Sequence, residues 1–231
     1  MDKTASQKPL VWLLLLLSMT TGLVDAASVL GLGKVFTANM TGNIVFLGFA
    51  AAGTPGFHAM SYAVAIFCFL GGALLAGHIG KQHEGRPTRR WLVTVASIEA
   101  VLLWGAAGLA LRFDVVTQAP EACLYAIIGL TGVAMGLRNG TIRQLKVPDL
   151  TTTVLTLTLT GLAADSRLAG GGDPNWGRRI GSVAAIFAGA TLGAALLAHG
   201  GLSLPLFIAG ALALGGTVAC GAVPAALGKG R

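Results

Sequence analysis

Apolar runs long enough to cross a lipid bilayer recur along the whole chain, and they fix the class of fold before any motif is considered. Cutting at charges and turn residues leaves blocks at 10–31, 35–53, 57–80, 91–111, 121–137, 150–164, 178–199 and 202–224. Most are near the roughly 20 residues that a spanning helix requires. Only 11% of residues are charged and mean hydropathy is +0.76, against about 25% charged in ordinary soluble domains. The expectation is an all-α integral membrane protein whose first partner is the lipid bilayer.

Charge and cysteine usage exclude other classes. The net charge of +7 resides between apolar blocks, where basic residues set orientation in the membrane. No basic stripe interleaves with exposed aromatics, so nucleic acid is not an expected partner. Cys68, Cys123 and Cys220 all fall inside apolar blocks without CxxC spacing and imply neither a disulfide framework nor a metal site. Lys3 and Lys8 before an apolar run, with Val24-Asp25-Ala26 after it, also resemble a secretory signal. The apolar run continues past Ala26 to Leu32, so this stretch is read as a first spanning helix with a basic flank.

Two stretches resemble each other. "GLVDAASVLGLGKVFTANMTGN" (22–43) and "GLRNGTIRQLKVPDLTTTVLTLT" (136–158) share Gly-Leu-x-Asp/Asn, and then match Leu30 with Leu145, Thr37 with Thr152 and Thr41 with Thr156. "LGGALLAGH" (70–78) further matches "LGAALLAH" (192–199). A duplicated half is expected, residues 1–118 and 119–231, within one membrane domain. Eight crossings would divide the basic residues evenly between the two sides. Six crossings with two re-entrant segments place all but Lys34 and Arg112 of the 16 Lys and Arg on one side. Positive charge gathers on the cytoplasmic side, so the expected fold has about six transmembrane helices and two broken segments, 35–53 and 150–164, in an inverted 3+3 repeat. Both termini are then cytoplasmic, in a bacterial inner membrane.

Non-helical backbone at membrane depth is tolerated only where protein buries it or a polar cavity receives it. Thr37, Asn39, Thr41 and Asn43 in the first broken segment, Thr152 and Thr156 in the second, and Asp149 just before it, are of the types that line such a cavity. Paired broken segments in inverted halves mark a midplane substrate site. The plainer alternative is that Thr hydroxyls bond their own helix carbonyls and glue helices together. Asp25 and Glu99 are carboxylates inside apolar blocks, which makes them functional candidates. Burial disfavours the charged form of a carboxyl, so either could exchange a proton or a cation. The alternatives are an ion pair of Asp25 with Lys34, Arg138 or Arg143, and a hydrogen bond from a neighbouring Ser or Thr to Glu99. Asn139 occupies the position equivalent to Asp25, three residues after a glycine, and Arg143 lies one turn beyond it.

No P-loop, GxSxG, HExxH or Cys/His metal spacing occurs in the sequence, so neither catalysis nor a cofactor is expected. The functional expectation is a transporter or channel for a small polar solute or ion, proton-coupled through Glu99. The alternative is a non-transport scaffold or partner subunit, and a homo-oligomer is compatible with either. "TGLVDAASVLGLGKVFTANMTGNIVFLG" together with "GLRNGTIRQLKVPDLTTTVLTLTLTGLAAD" resembles the YoaK-like family of bacterial inner-membrane proteins, a domain of unknown function. The resemblance covers nearly the whole chain and implies a multi-pass protein of about this length, without supplying a substrate. Arg138-Asn139-Gly140 stands where relatives resemble Gln-Asn-Ala, a change of charge near the expected site.

Overall fold

The computed structural model describes residues 3–85, 87–145, 155–172 and 175–221. Among these residues, six helices are long and apolar enough to cross a membrane: α1 (Lys3–Gly31), α3 (Ala59–Gln82), α4 (Thr88–Ala110), α5 (Glu121–Leu145), α7 (Trp176–Gly200) and α8 (Ser203–Gly221). Two are short, α2 (Met40–Ala51) and α6 (Leu155–Ala164). At 1.5 Å per residue these rise only about 18 and 15 Å, well under the ~30 Å hydrocarbon core. The fold is all-α, six long helices with a short one in each of the two expected broken segments. Asp149 and Thr152 lie outside the described residues.

Helix ends reveal the path of the chain. Gly33 and Lys34 adopt left-handed backbone, and the Lys34 N–H closes back on the Val29 carbonyl at 3.1 Å, a glycine-based C-terminal cap that stops α1. Lys34 Nζ then sits 5.0 Å from the centre of the Phe57 ring, just before α3. The end of α1 and the start of α3 are thus neighbours, and α2 between them does not cross. Gln118, before α5, donates to the Gly31 carbonyl at 3.1 Å, and Leu202, before α8, lies against Gly31. Helices α1, α4 and α7 therefore end at the face where α3, α5 and α8 begin. At the opposite face, Gly221 meets Arg89 and Gly80 meets Gln144.

Packing is closest where α1 crosses α7 and where α3 crosses α5. A Cβ on Gly22 would overlap the Ile186 carbonyl oxygen, and one on Gly189 would overlap that of Met19; on α3 and α5, Gly72 meets Val133 and Gly136 meets Phe69 in the same way. In lipid, helices associate through such close backbone approach because no hydrophobic effect drives them together. The two crossings correspond residue by residue: Gly22 with Gly136, Met19 with Val133, Gly72 with Gly189, Phe69 with Ile186. This register differs by about one helical turn from the match of 70–78 with 192–199, because contact geometry selects the glycine that must face a backbone, whereas the string match follows Leu and Ala that face elsewhere. His78 and His199 consequently do not occupy equivalent positions.

One boundary differs from the sequence reading. The block ending at 137 continues as helix to Leu145, so Arg138 is not a loop cation but a residue two turns inside α5. The adjacent glycines of α3 give a direct test of the packing. Gly72→Ala should destabilise the protein by about 1–3 kcal/mol through overpacking, while Gly71→Ala, with nothing within 4 Å of its added methyl, should be tolerated; thermal unfolding in detergent distinguishes them.

Candidate functional site

Arg138 is 2% exposed and Glu99 is likewise 2% exposed. A charge cannot be enclosed this way without a counter-charge and hydrogen bonds. Both are present: Nε of Arg138 donates to Glu99 Oε1 at 2.9 Å, and its Nη2 makes a second, charge-assisted bond to the same oxygen. Nη1 turns to α1, donating to the Leu17 carbonyl at 3.2 Å and to Thr21 Oγ1 at 3.1 Å. The Leu17 carbonyl also accepts from Thr20 and Thr21, at 3.0 and 2.9 Å. The guanidinium so ties α5 to α4 and α1 at one buried point. A cavity of about 30 Å3 adjoins it among Leu13, Leu17 and Thr217.

One turn beyond Thr21 on α1 lies Asp25, six residues or about 9 Å before the helix ends. Its Oδ1 accepts the Ala38 N–H at 3.0 Å, and the Thr37 N–H is also directed at the carboxyl. The chain after Gly33 has therefore folded back alongside α1 to the depth of Asp25. Thr37 Oγ1 reaches Ser28 Oγ at 3.5 Å, and Asn43 closes the turn by accepting from Phe36 N at 2.9 Å and donating to its carbonyl at 2.5 Å. Asp25 and Asn43 answer backbone groups that lipid would leave unsatisfied. From Met40 the chain returns as α2, anchored by ring contacts of Phe46 with Phe57 and Tyr62 at 5.4 and 5.7 Å. The positive N-terminal end of α2 thus lies at membrane depth. Asn39 and Thr41 stand there exposed, and Asn39 makes no side-chain cap bond.

The remaining candidates are dispersed. Asn139 donates to the Met135 carbonyl of its own helix at 2.9 Å. Arg143 is exposed near the end of α5, and Thr156 is exposed in α6. Asp165, just after α6, pairs with Arg179 in the first turn of α7 at 2.7 Å, and Gly161 abuts the same guanidinium. The structure thus brings Asp25, Thr37 and Asn43 into one cluster, with Asn39 and Thr41 at its edge. Asp25 takes backbone N–H groups in place of the Lys or Arg partner considered for it. Glu99 belongs to a second cluster, and its partner is Arg138 in place of a Ser or Thr. The one sequence sign of that pairing was two lone, opposite charges in apolar helices, obscured while Arg138 was read as lying beyond its helix.

A second feature had no signal in the sequence. Where α1 ends and α3 and α5 begin, a cavity of about 390 Å3 is lined by Gly33, Lys34, His58, Ser61, Gln118 and Glu121, among others. The turn carrying Gln118 is held by Asp114, which accepts the Thr117 hydroxyl and the Val116 N–H, both at 2.8 Å. Those bonds keep the Asp114 carboxyl below its ordinary value of 3.8. A depressed folded-state value means the turn is fully supported above pH 3.8 and loosens only as pH falls through the lowered value.

Among the described residues, six long apolar helices, two short ones and a buried ion pair between α4 and α5 define a polytopic integral membrane protein. The chain belongs to the family described as "Protein of unknown function (DUF1275)", whose model matches residues 13–219. It is 32% identical over 153 residues to the UPF0700 transmembrane protein YoaK of Bacillus subtilis (strain 168), an alignment covering 66% of this chain and 65% of that protein. No solved structure matches it.

Removing one partner of a buried ion pair leaves the other charge uncompensated. Glu99→Gln should therefore cost about 3–5 kcal/mol of stability, and the double variant Glu99→Leu with Arg138→Met should recover most of it, as read by a double-mutant cycle of unfolding in detergent. Asp25→Ala should leave the ion pair intact while speeding hydrogen exchange at the Thr37 and Ala38 amides; unchanged exchange there would contradict the assigned bond.

Proposed function

We propose that this protein transports a small polar solute across the membrane, using the polar segments 35–53 and 150–164 as paired elements of an inverted duplication. The observation that carries this reading is the non-helical chain at residues 35–39, held at the depth of Asp25 with the N-terminus of α2 beside it. Asn39 and Thr41 are exposed at that depth, where hydrocarbon would select apolar side chains, so a polar path accounts for them. The matching glycine crossings and the opposed directions of α1 and α5 support the duplication. Half-helices that end at midplane recur as solute sites in transporters built from inverted repeats.

Orientation follows from charge. Lys81, Arg89, Arg90, Arg143, Arg178 and Arg179 flank the face opposite Lys34, so that face is assigned to the cytoplasm of a bacterial inner membrane, together with both termini. Proton coupling is better placed on Asp25 than on Glu99, whose carboxylate already has a guanidinium partner. A second reading, a non-transporting scaffold, draws on the hydroxyls of Ser18, Thr131, Thr141 and Thr217, all bonded to carbonyls of their own helices.

Flux of a broad metabolite panel into liposomes separates the two. Transport should fall severalfold in Asn39→Ala and Thr41→Val without loss of stability; no flux of any solute favours the scaffold. In a cysteine-free background, single cysteines at Pro55 and Gln118 should label from outside and those at Gly85 and Arg143 from the cytoplasm. Labelling of Pro55 and Lys34 from opposite sides would refute the re-entrant assignment.

A further inference from the structure

The cavity at the end of α1 carries its own evidence of function. Lys34 (φ 67°) and Gln118 (φ 55°) are two of the three non-glycine residues with left-handed backbone among the described residues, and both line it. Side chains in that region are strained, and such strain persists where the surroundings over-determine it, commonly at ligand sites. The volume, about 390 Å3, lies within the range of small-molecule sites.

Its charges are opposite and unpaired. Lys34 Nζ rests over the Phe57 ring, and no carboxylate among the described residues lies within 4 Å of it. Glu121 accepts the Tyr125 hydroxyl at 2.5 Å through Oε1 and has no cation within that distance among the described residues. Gln118 supplies the third group. Its Nε2 donates to the Gly31 and Val115 carbonyls at 3.1 and 2.5 Å, and since only the nitrogen can donate to two carbonyls, the amide orientation is fixed. Oε1 is then left buried without a donor, against Gly33, where a Cβ would stand 3.3 Å from it. A buried acceptor without a donor is costly and calls for a partner.

We propose that this cavity binds a small zwitterion, its anionic oxygens at Lys34 and its ammonium shared between Glu121 and Gln118 Oε1. A simple anion would meet Glu121 and leave the amide oxygen empty, and a simple cation would meet Lys34. An ammonium carries three donors, enough for the free carboxylate oxygen and the amide together. Free amino acids and the headgroup of an ethanolamine phospholipid share this chemistry. The proposal concerns binding alone and stands apart from transport.

The test is thermal unfolding of the purified full-length protein in detergent with the twenty common amino acids at millimolar concentration, mixed and then single. A parallel arm compares nanodiscs of phosphatidylethanolamine and phosphatidylglycerol. A bound zwitterion raises the unfolding temperature by mass action. The N-acetyl derivative, lacking the ammonium, and the amide derivative, lacking the carboxylate, should both lose the effect on the wild-type protein. Lys34→Gln and Glu121→Gln should each weaken binding about tenfold or more, while Arg112→Gln, outside the cavity, should not. Stabilisation by free amino acids identifies a solute site, and stabilisation by phosphatidylethanolamine alone identifies a headgroup site; either supports the assigned chemistry. No shift in either arm, or shifts that survive both charge-removing variants or either derivative, overturn it. Flux measurements bear on neither outcome.

Discussion

A guanidinium enclosed by apolar helices must have its charge balanced and its donors accepted, and the rest of this structure is arranged around that requirement. Arg138 engages Glu99 of α4 and the Leu17 carbonyl and Thr21 hydroxyl of α1. Helices α1, α4 and α5 thereby meet at a point where each hydrogen bond has a defined direction. Apolar packing alone would let such helices slide or rotate, since lipid tails are as apolar as leucine. The ion pair adds orientation to what the glycine crossings add in closeness. Its net effect on stability is not read from its presence, because desolvation opposes the attraction; its effect on register is direct.

The segment after α1 solves a related problem by different means. Its backbone leaves the helical state and folds back beside α1, so each amide needs a partner other than the next turn of helix. Asp25 takes the Ala38 amide and Asn43 both takes and supplies bonds at Phe36. A carboxylate that meets backbone N–H groups beside a helix N-terminus occupies the place where an anion would be held in other proteins. Asp25 is thus the support of the turn that leads into α2. Its position one turn from Thr21 links this support to the Arg138 node.

The sequence carried the architecture well because bilayer thickness imposes a length on every spanning segment. Block lengths, the shortness of 150–164 and the placement of Lys and Arg were enough to expect six long helices and two short interruptions. The polar character of Thr37 and Asn43 was likewise legible, since four polar side chains in an apolar run require a reason. Other features depended on partners distant in the chain. Glu99 and Arg138 are separated by 39 positions, and nothing local to either shows that they meet. The cavity joins residues from the ends of three helices, each ordinary in its own loop. The alignment of α3 with α7 slipped by a turn because leucine-rich helices repeat every few residues, and only the contact of Gly72 and Gly189 with facing backbones fixes the register.

The sequence by itself determined that the chain lies in a membrane, how many times its helices are long enough to cross, and where the helix must break, because hydrophobic length and backbone hydrogen bonding act along the chain. The tertiary structure alone decided which charge neutralises Glu99, what Asp25 holds, and that Lys34, Gln118 and Glu121 share one cavity. Those outcomes depend on distances between helices. Such distances are set by close packing at glycines and by the directionality of hydrogen bonds, neither of which is written in the spacing of residues along one strand of sequence.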